Sequence, residues 1–177
     1  MAPRTTLRLP EPADATEYVA LNRRSRRFHA GRVAPPRDLA AYRDLLQRNR
    51  DPQFCSWLIV RRDDAAILGA VELSQIVRGK FQSAYLGYHI GAPFAGQGYM
   101  REALASAISR AFRDLRLHRL EANIQPENTP SIRLVKQLGF RREGYSPRYL
   151  KIGGRWRDHE RWAILAEEWG GRGIGAT

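Results

Sequence analysis

The segment from residue 83 to residue 124 leaves few folds open to this chain. Ser83 to Ile90 has the short apolar alternation of a strand, and Gly91-Ala92-Pro93-Phe94-Ala95-Gly96-Gln97-Gly98 cannot continue it. Leu104, Ile108, Ala111, Phe112 and Leu115 then recur at helical spacing, leaving Arg101, Arg110 and Arg113 for solvent, and Arg119 to Ile124 is a strand again. Strands joined through a helix cannot form a tight hairpin, so this pair is expected to run parallel. The other strands are linked by short turns, which sets them antiparallel.

Around that unit the order is legible. Thr5 to Leu9 is a first strand, closed by Pro10 and Pro12. A helix from Ala13 to about Phe28 and another from Arg37 to Arg48, separated by Pro35-Pro36, would cap the sheet. Phe54, Trp57, Leu58, Ile59 and Val60 mark a strand; Asp63-Asp64 turns it, and Ile67 to Val77 returns. Asn128 is placed to cap a helix, worth about 1 kcal/mol; Pro130 suits its first turn, Ile132, Val135 and Leu138 form one face, and Gly139 ends it. Arg148 to Ile152 and Arg155 to Leu165 flank Gly153-Gly154 as a last hairpin. The expectation is an α/β (α+β) fold: a mixed, mostly antiparallel sheet of six to seven strands with about four helices. One domain over 1–169 and a loose glycine-rich tail over 170–177 complete it.

With 177 residues the chain is the size of a single domain. A mean hydropathy of −0.51 and the absence of any long apolar run argue against a membrane span. Met1-Ala2-Pro3-Arg4 has no apolar core of a secretory signal, and the lone Cys55 precludes an internal disulfide, so a cytoplasmic setting is expected. Thirty basic residues, 27 of them Arg, stand against eighteen acidic ones, for a net charge of +12. Such a field attracts nucleic acid, ribosomes or phosphate-bearing cofactors. Biased codon usage would give the same composition.

The glycine loop lacks both the Lys-Ser/Thr ending of a P-loop and the dinucleotide fingerprint spacing, which sets aside nucleotide triphosphatases and Rossmann dehydrogenases. The four histidines share no ligand spacing with one another or with Cys55, so no metal is expected. A strand–glycine loop–helix junction does offer backbone N–H groups to an anion.

Leu86-Gly87-Tyr88-His89-Ile90-Gly91, Ala95-Gly96-Gln97-Gly98-Tyr99-Met100-Arg101-Glu102-Ala103-Leu104, Glu121-Ala122-Asn123, Pro126-Glu127-Asn128, Ser131 and Leu138-Gly139-Phe140 occur in one order. That ensemble resembles the GNAT superfamily of acetyl-CoA-dependent N-acetyltransferases. The ending from Tyr149 to His159 is similar to its RimJ/RimL branch, which acetylates N-terminal amines of ribosomal proteins. In the family's Gln/Arg-x-x-Gly-x-Gly/Ala loop this chain has Ala95 first, Gly98 fourth and Met100 sixth, so only the central glycine matches.

The resemblance implies acetyl-CoA as co-substrate. Amides of Gly96, Gln97, Gly98, Tyr99 and Met100 would hold its pyrophosphate. The strand end Tyr88, His89 and Ile90 would align its pantetheine arm, and Asn128 would touch that arm. It further implies Glu121 as general base and Ser131 as proton donor to the thiolate, since the tyrosine of other branches falls near Val135. An α-amine with a pKa near 8 is partly neutral at pH 7, unlike lysine near 10.4, so a modest base suffices. Tyr145 and Tyr149 are spare candidates; His89 and Asp158 could border the amine site, while Cys55 reads as a small buried hydrophobe.

The leading expectation is transfer of acetyl to a protein N-terminus, ribosomal by resemblance, with possible contact of the basic surface to rRNA. A small amine such as an aminoglycoside or polyamine is the second reading, disfavoured by scattered acidic residues. A non-catalytic RNA- or ribosome-binding protein is the third, although no aromatic-plus-basic recognition motif supports it.

Overall fold

The computed structural model describes residues 3–170. Its centre is a seven-stranded sheet in the order β1-β2-β3-β4-β5-β7-β6. The strands are β1 (Thr5–Arg8), β2 (Cys55–Arg61), β3 (Ile67–Val77), β4 (Ser83–Ile90), β5 (Arg119–Ile124), β6 (Arg141–Ile152) and β7 (Arg155–Leu165). Every pairing is antiparallel except β4 with β5, the pair joined through a helix. The helices are α1 (Ala15–Arg24), α2 (Arg26–His29), α3 (Leu39–Arg48), α4 (Tyr99–Arg113), α5 (Thr129–Gln137) and the short α6 (Ala166–Gly170).

Strand alternation builds two cores. Trp57, Ile59, Val71, Leu73, Leu86, Leu120 and Ile164 face α4 and α5, whose Leu104, Ala107, Ile108 and Val135 are fully buried. The next residues along the same strands, Leu58, Val60 and Ala70, face the opposite way onto Tyr18, Leu21, Tyr42 and Leu45 of α1 and α3. The expected sandwich with helices on both faces is therefore present. No helix among the described residues is long and apolar enough to cross a membrane.

Three expectations need correction. The first helix is not continuous to Phe28: it breaks at Ser25, whose buried hydroxyl accepts the Ala92 N–H at 2.9 Å and ties the front helices to the end of β4. The last hairpin begins at Arg141 rather than Arg148. Pro147 and an exposed face hide its first half, and both are tolerated because β6 lies at the sheet edge. Asn128 occupies the N-cap of α5, yet its side chain caps no backbone N–H, so the expected stabilisation is absent. Of the tail expected over 170–177, Gly170 closes α6 and residues 171–177 lie outside the described residues.

Asp14 anchors β1 to the start of α1. Its carboxylate accepts two hydrogen bonds from Arg8, at 2.7 and 2.5 Å, and one from the Glu11 N–H at 2.8 Å. Burial pushes its pKa up, but Arg8 and the Glu11 amide outweigh burial and hold it below the usual carboxylate value. Asp14→Ala is expected to cost about 2–3 kcal/mol in urea denaturation at pH 7, because it strips a part-buried guanidinium of its partner. A depressed folded-state pKa gives stability that is present above the unfolded value and lost as pH falls through the folded one. The difference between variant and parent should thus hold above about pH 5 and shrink below pH 4.

Candidate active site

The parallel β4–β5 pairing lasts only three rungs, Ser83↔Arg119, Ala84↔Leu120 and Tyr85↔Glu121. Beyond them the two strands have no mutual pairing, and a wedge opens between Leu86–Ile90 and Ala122–Ile124. The register fixes which groups of β4 face it. Gly91 donates its N–H to the Leu68 carbonyl at 2.7 Å, so Gly69↔Ile90 and Val71↔Tyr88 are the non-hydrogen-bonded rungs of the β3–β4 ladder. The N–H and C=O groups of Tyr88 and Ile90 point away from β3, into the wedge. His89 is different: its main chain is committed to β3 opposite Ala70, and its ring is buried on the other face.

The wedge leads to the glycine loop. Gly96 (φ +75°) and Gly98 (φ +85°) adopt left-handed conformations that place the following amides in one cluster. Among the described residues, the N–H groups of Gly96, Gln97, Gly98, Tyr99 and Met100 donate to no protein acceptor. Five consecutive free amides at the start of a 15-residue helix make a cradle for a phosphate anion, reinforced by the helix dipole. Arg4 braces this loop from the side, donating to the Gln97 carbonyl at 2.9 Å and to Glu102 at 2.5 Å while stacking 4.4 Å from the Tyr99 ring. A cradle made of main-chain amides does not depend on the side chains at Ala95 and Met100.

Two further expected residues meet at the wedge. The Tyr88 hydroxyl is buried with no hydrogen-bond partner, and the Ser131 side chain from the first turn of α5 approaches it without closing a bond. Burial pushes the Tyr88 phenol up to about 12, and Ser131 moderates the rise. Asn128, whose side chain caps nothing, stands at the N-cap of the helix whose first turn carries Ser131. Glu121 stands on the last paired rung, with one carboxylate oxygen held by Arg119 at 2.8 Å. Arg119 also binds Glu143 of β6. The second oxygen of Glu121 accepts nothing among the described residues.

The face of the sheet opposite α4 carries a second space, a cavity of about 780 Å³ between α3, the 32–38 loop, β3, β4 and the end of β6 with its turn, 151–153. Glu72, Gly87 and His89 lie on its floor and Arg48, Asp44 and Lys151 on its walls. His89 Nε2 meets the Tyr18 hydroxyl at 3.2 Å, and burial, with His29 nearby, drives its pKa down to about 3, so the ring is neutral. His29, remote in sequence, packs edge-on against His89 with centroids 5.5 Å apart and reaches the Ile90 carbonyl at 2.8 Å. No spacing argument could have joined these two. Asp158 is engaged inside the β6–β7 hairpin by Tyr145 and the Arg148 N–H. Tyr149 packs on His159. Burial pushes the Cys55 thiol up to about 11, so it is no nucleophile at neutral pH.

Comparison with known proteins settles the family. The acetyltransferase (GNAT) domain matches residues 4–141. The chain belongs to the GNAT acetyltransferase family. Among curated relatives, the Escherichia coli [ribosomal protein uS5]-alanine N-acetyltransferase is 44% identical over 107 residues, 60% of this chain and 55% of that protein. The matched part therefore spans little more than half of that relative. Among solved structures, Mycobacterium smegmatis RimJ in complex with CoA-disulfide superposes with a TM-score of 0.84 at 28% identity, covering 93% of this chain and 83% of that one. The Vibrio cholerae spermidine N-acetyltransferase, solved with CoA and spermine, gives a TM-score of 0.80 at 24% identity over 94% and 98% of the two chains. That likeness is one of fold, and a GNAT fold by itself does not choose the amine.

Proposed function

We propose that this GNAT protein transfers the acetyl group of acetyl-CoA to the N-terminal α-amine of a protein, by direct attack with both substrates bound. The observation that carries the reading is the pairing of a free-amide cradle at 96–100 with a strand edge, Tyr88 and the Ile90 N–H, that no neighbouring strand takes. A diphosphate suits the first. An amide-bearing extended arm suits the second, adding to β4 as a strand would. The residues thus fit coenzyme A, whose thioester supplies the activated acyl group. The uncommitted Asn128 side chain would contact the arm, and Ser131 would pass a proton to the departing sulfur. Glu121, the base that the resemblance implies, is tied to Arg119 and does not line the cavity, so the proton of the amine goes to another group.

The cavity favours a peptide end over a polyamine. Its lining holds Arg32, Arg37, Arg48 and Lys151 against Asp38, Asp44 and Glu72. A peptide brings one ammonium for a carboxylate and several carbonyl acceptors for the basic groups, whereas a polyamine brings only donors, which use the three carboxylates and leave the four cations without a partner. By likeness to the uS5-alanine acetyltransferase, the peptide would belong to a ribosomal protein, and the +12 charge would engage rRNA. The test is incubation with labelled acetyl-CoA and either ribosomal extract or spermidine. Label on protein α-amines is expected; label on spermidine alone would contradict the reading. Ribosome-bound acceptor should lose its advantage over free peptide as salt rises from 50 to about 200 mM, the range over which phosphate contacts weaken steeply.

A further inference from the structure

Glu72 is the one feature of the cavity that neither the fold nor the sequence motifs account for. It projects from β3 on the face opposite α4, in the rung Glu72↔Gly87, with Ala70↔His89 beside it. Its carboxylate lines the cavity and takes part in none of the side-chain hydrogen bonds or ion pairs found among the described residues. Arg48, the nearest cation in its field, is instead stacked 3.9 Å over the Phe54 ring. Burial raises the Glu72 pKa above the ordinary carboxylate value, and Arg48 only partly offsets this. Glu72 is part-buried, and a carboxylate without a protein partner that opens onto a cavity is placed to receive a cationic group. Across the rung, Gly87 supplies the room: a Cβ built there meets nothing within 4 Å. Gly87 immediately precedes Tyr88, whose main chain faces the wedge on the other side of the strand. A group resting on Gly87 is therefore one residue from the edge that would hold the acyl donor.

We propose that Glu72 and Gly87 form the amine-receiving subsite, in which the Glu72 carboxylate binds the acceptor's ammonium and takes its first proton. This deepens the acetyltransferase reading and rests on it. The ammonium gives one proton to Glu72, and the nitrogen lone pair forms a bond to the acetyl carbon. The carbon–sulfur bond then breaks with its electrons on sulfur, and the second nitrogen proton ends on the thiol. Glu72 returns its proton to water through the open cavity. The groups that tune it are Arg48 and Asp44 of α3, Tyr18 of α1, His89 of β4, Lys151 at the end of β6, and Arg32 and Arg37 of the loop.

The experiment measures thiol release from acetyl-CoA with an alanine-initiated peptide, ethylamine and spermidine, and judges Glu72 on whichever amine the enzyme uses best. If that amine is spermidine, the protein-terminus reading fails while Glu72 is still judged. Glu72→Gln is expected to lower kcat/KM at pH 7 at least 30-fold with CoA affinity unchanged within threefold. The deficit should shrink towards pH 9.5, where an α-amine is already neutral. Glu121→Gln, the comparator, should lose less than fivefold. Gly87→Val, whose Cβ meets nothing within 4 Å and whose methyl groups project from the floor, should retain CoA binding and lose at least 30-fold in kcat/KM. The assignment is overturned if Glu72→Gln stays within threefold of the parent, if its deficit is independent of pH, or if Glu121→Gln carries the larger, pH-rescued loss.

Discussion

A Gly98→Val protein should fold and yet bind coenzyme A at least 30-fold more weakly than its parent. Gly98 sits at φ +85° as the last residue before α4, and its conformation aims the amides of Tyr99 and Met100 into the same space as those of Gly96 and Gln97. A β-branched residue cannot hold that conformation without strain of about 1–3 kcal/mol. Its Cβ would also lie 3.1 Å from the Arg4 guanidinium, which braces the loop through the Gln97 carbonyl. The loop relieves both by rotating peptide planes, and each amide turned away forfeits a charge-assisted hydrogen bond worth about 1.5–3 kcal/mol. Loss of one or two accounts for the expected drop, read by isothermal titration. The melting temperature should fall by only about 2–10 °C. Gly79→Val is the control: Gly79 has φ +66° and open space around it in the β3–β4 turn, so it suffers the same strain without touching CoA affinity.

The second large effect is expected at Gly69→Ala, and it joins stability to the site. Gly69 lies where β3 and β4 approach most closely. An added Cβ would collide with the His89 carbonyl oxygen and lie 2.8 Å from the Ile90 Cα. Both are backbone atoms, so no rotamer change makes room, and the end of β4 must move. That end is fixed by the Gly91–Leu68 hydrogen bond, the His29–Ile90 contact and the Ser25–Ala92 contact. Displacing it should cost about 3 kcal/mol, the upper part of the range for overpacking, or about 6–12 °C in a thermal melt. Because the same residues border the wedge, CoA affinity should fall with stability. A protein as stable as the parent would show that β4 can shift freely, contrary to this account.

The sheet and the strand–glycine loop–helix junction were largely legible because their determinants are local. Alternation in Ser83–Ile90 and Ile67–Val77 marks strands buried on at least one face, and the helical period of 104–115 is that of a helix lying on a sheet. The crossover rule then sets β4 and β5 parallel, which creates the wedge. The GNAT resemblance pointed to the loop at 96–100 as a phosphate site, and the amides there donate to no protein acceptor among the described residues. Where the reading failed, the deciding interaction lay far along the chain. Ser25 ends a helix by accepting an amide 67 residues away. The first half of β6 is polar, contains Pro147 and has β7 as its strand partner on one side alone, so no periodicity announces it. Glu72 looks like any outward residue of an alternating strand until α3 and the end of β6 with its turn, 151–153, close over it. The Asn128 side chain illustrates the opposite limit, a sequence position suited to capping whose geometry (ψ +61°) directs it elsewhere.

The central claim is that backbone donors at 96–100 and at the Tyr88–Ile90 edge bind coenzyme A. Titrating the 15N-labelled protein with the coenzyme, and following each backbone amide by heteronuclear NMR, tests it residue by residue. The account predicts that at saturation the Gly96 to Met100 amides, with those of Tyr88 and Ile90, move farthest and become protected from exchange, while His89, bonded to β3, moves little. Saturating coenzyme that leaves those seven amides unmoved, or that shifts a different surface, would contradict it.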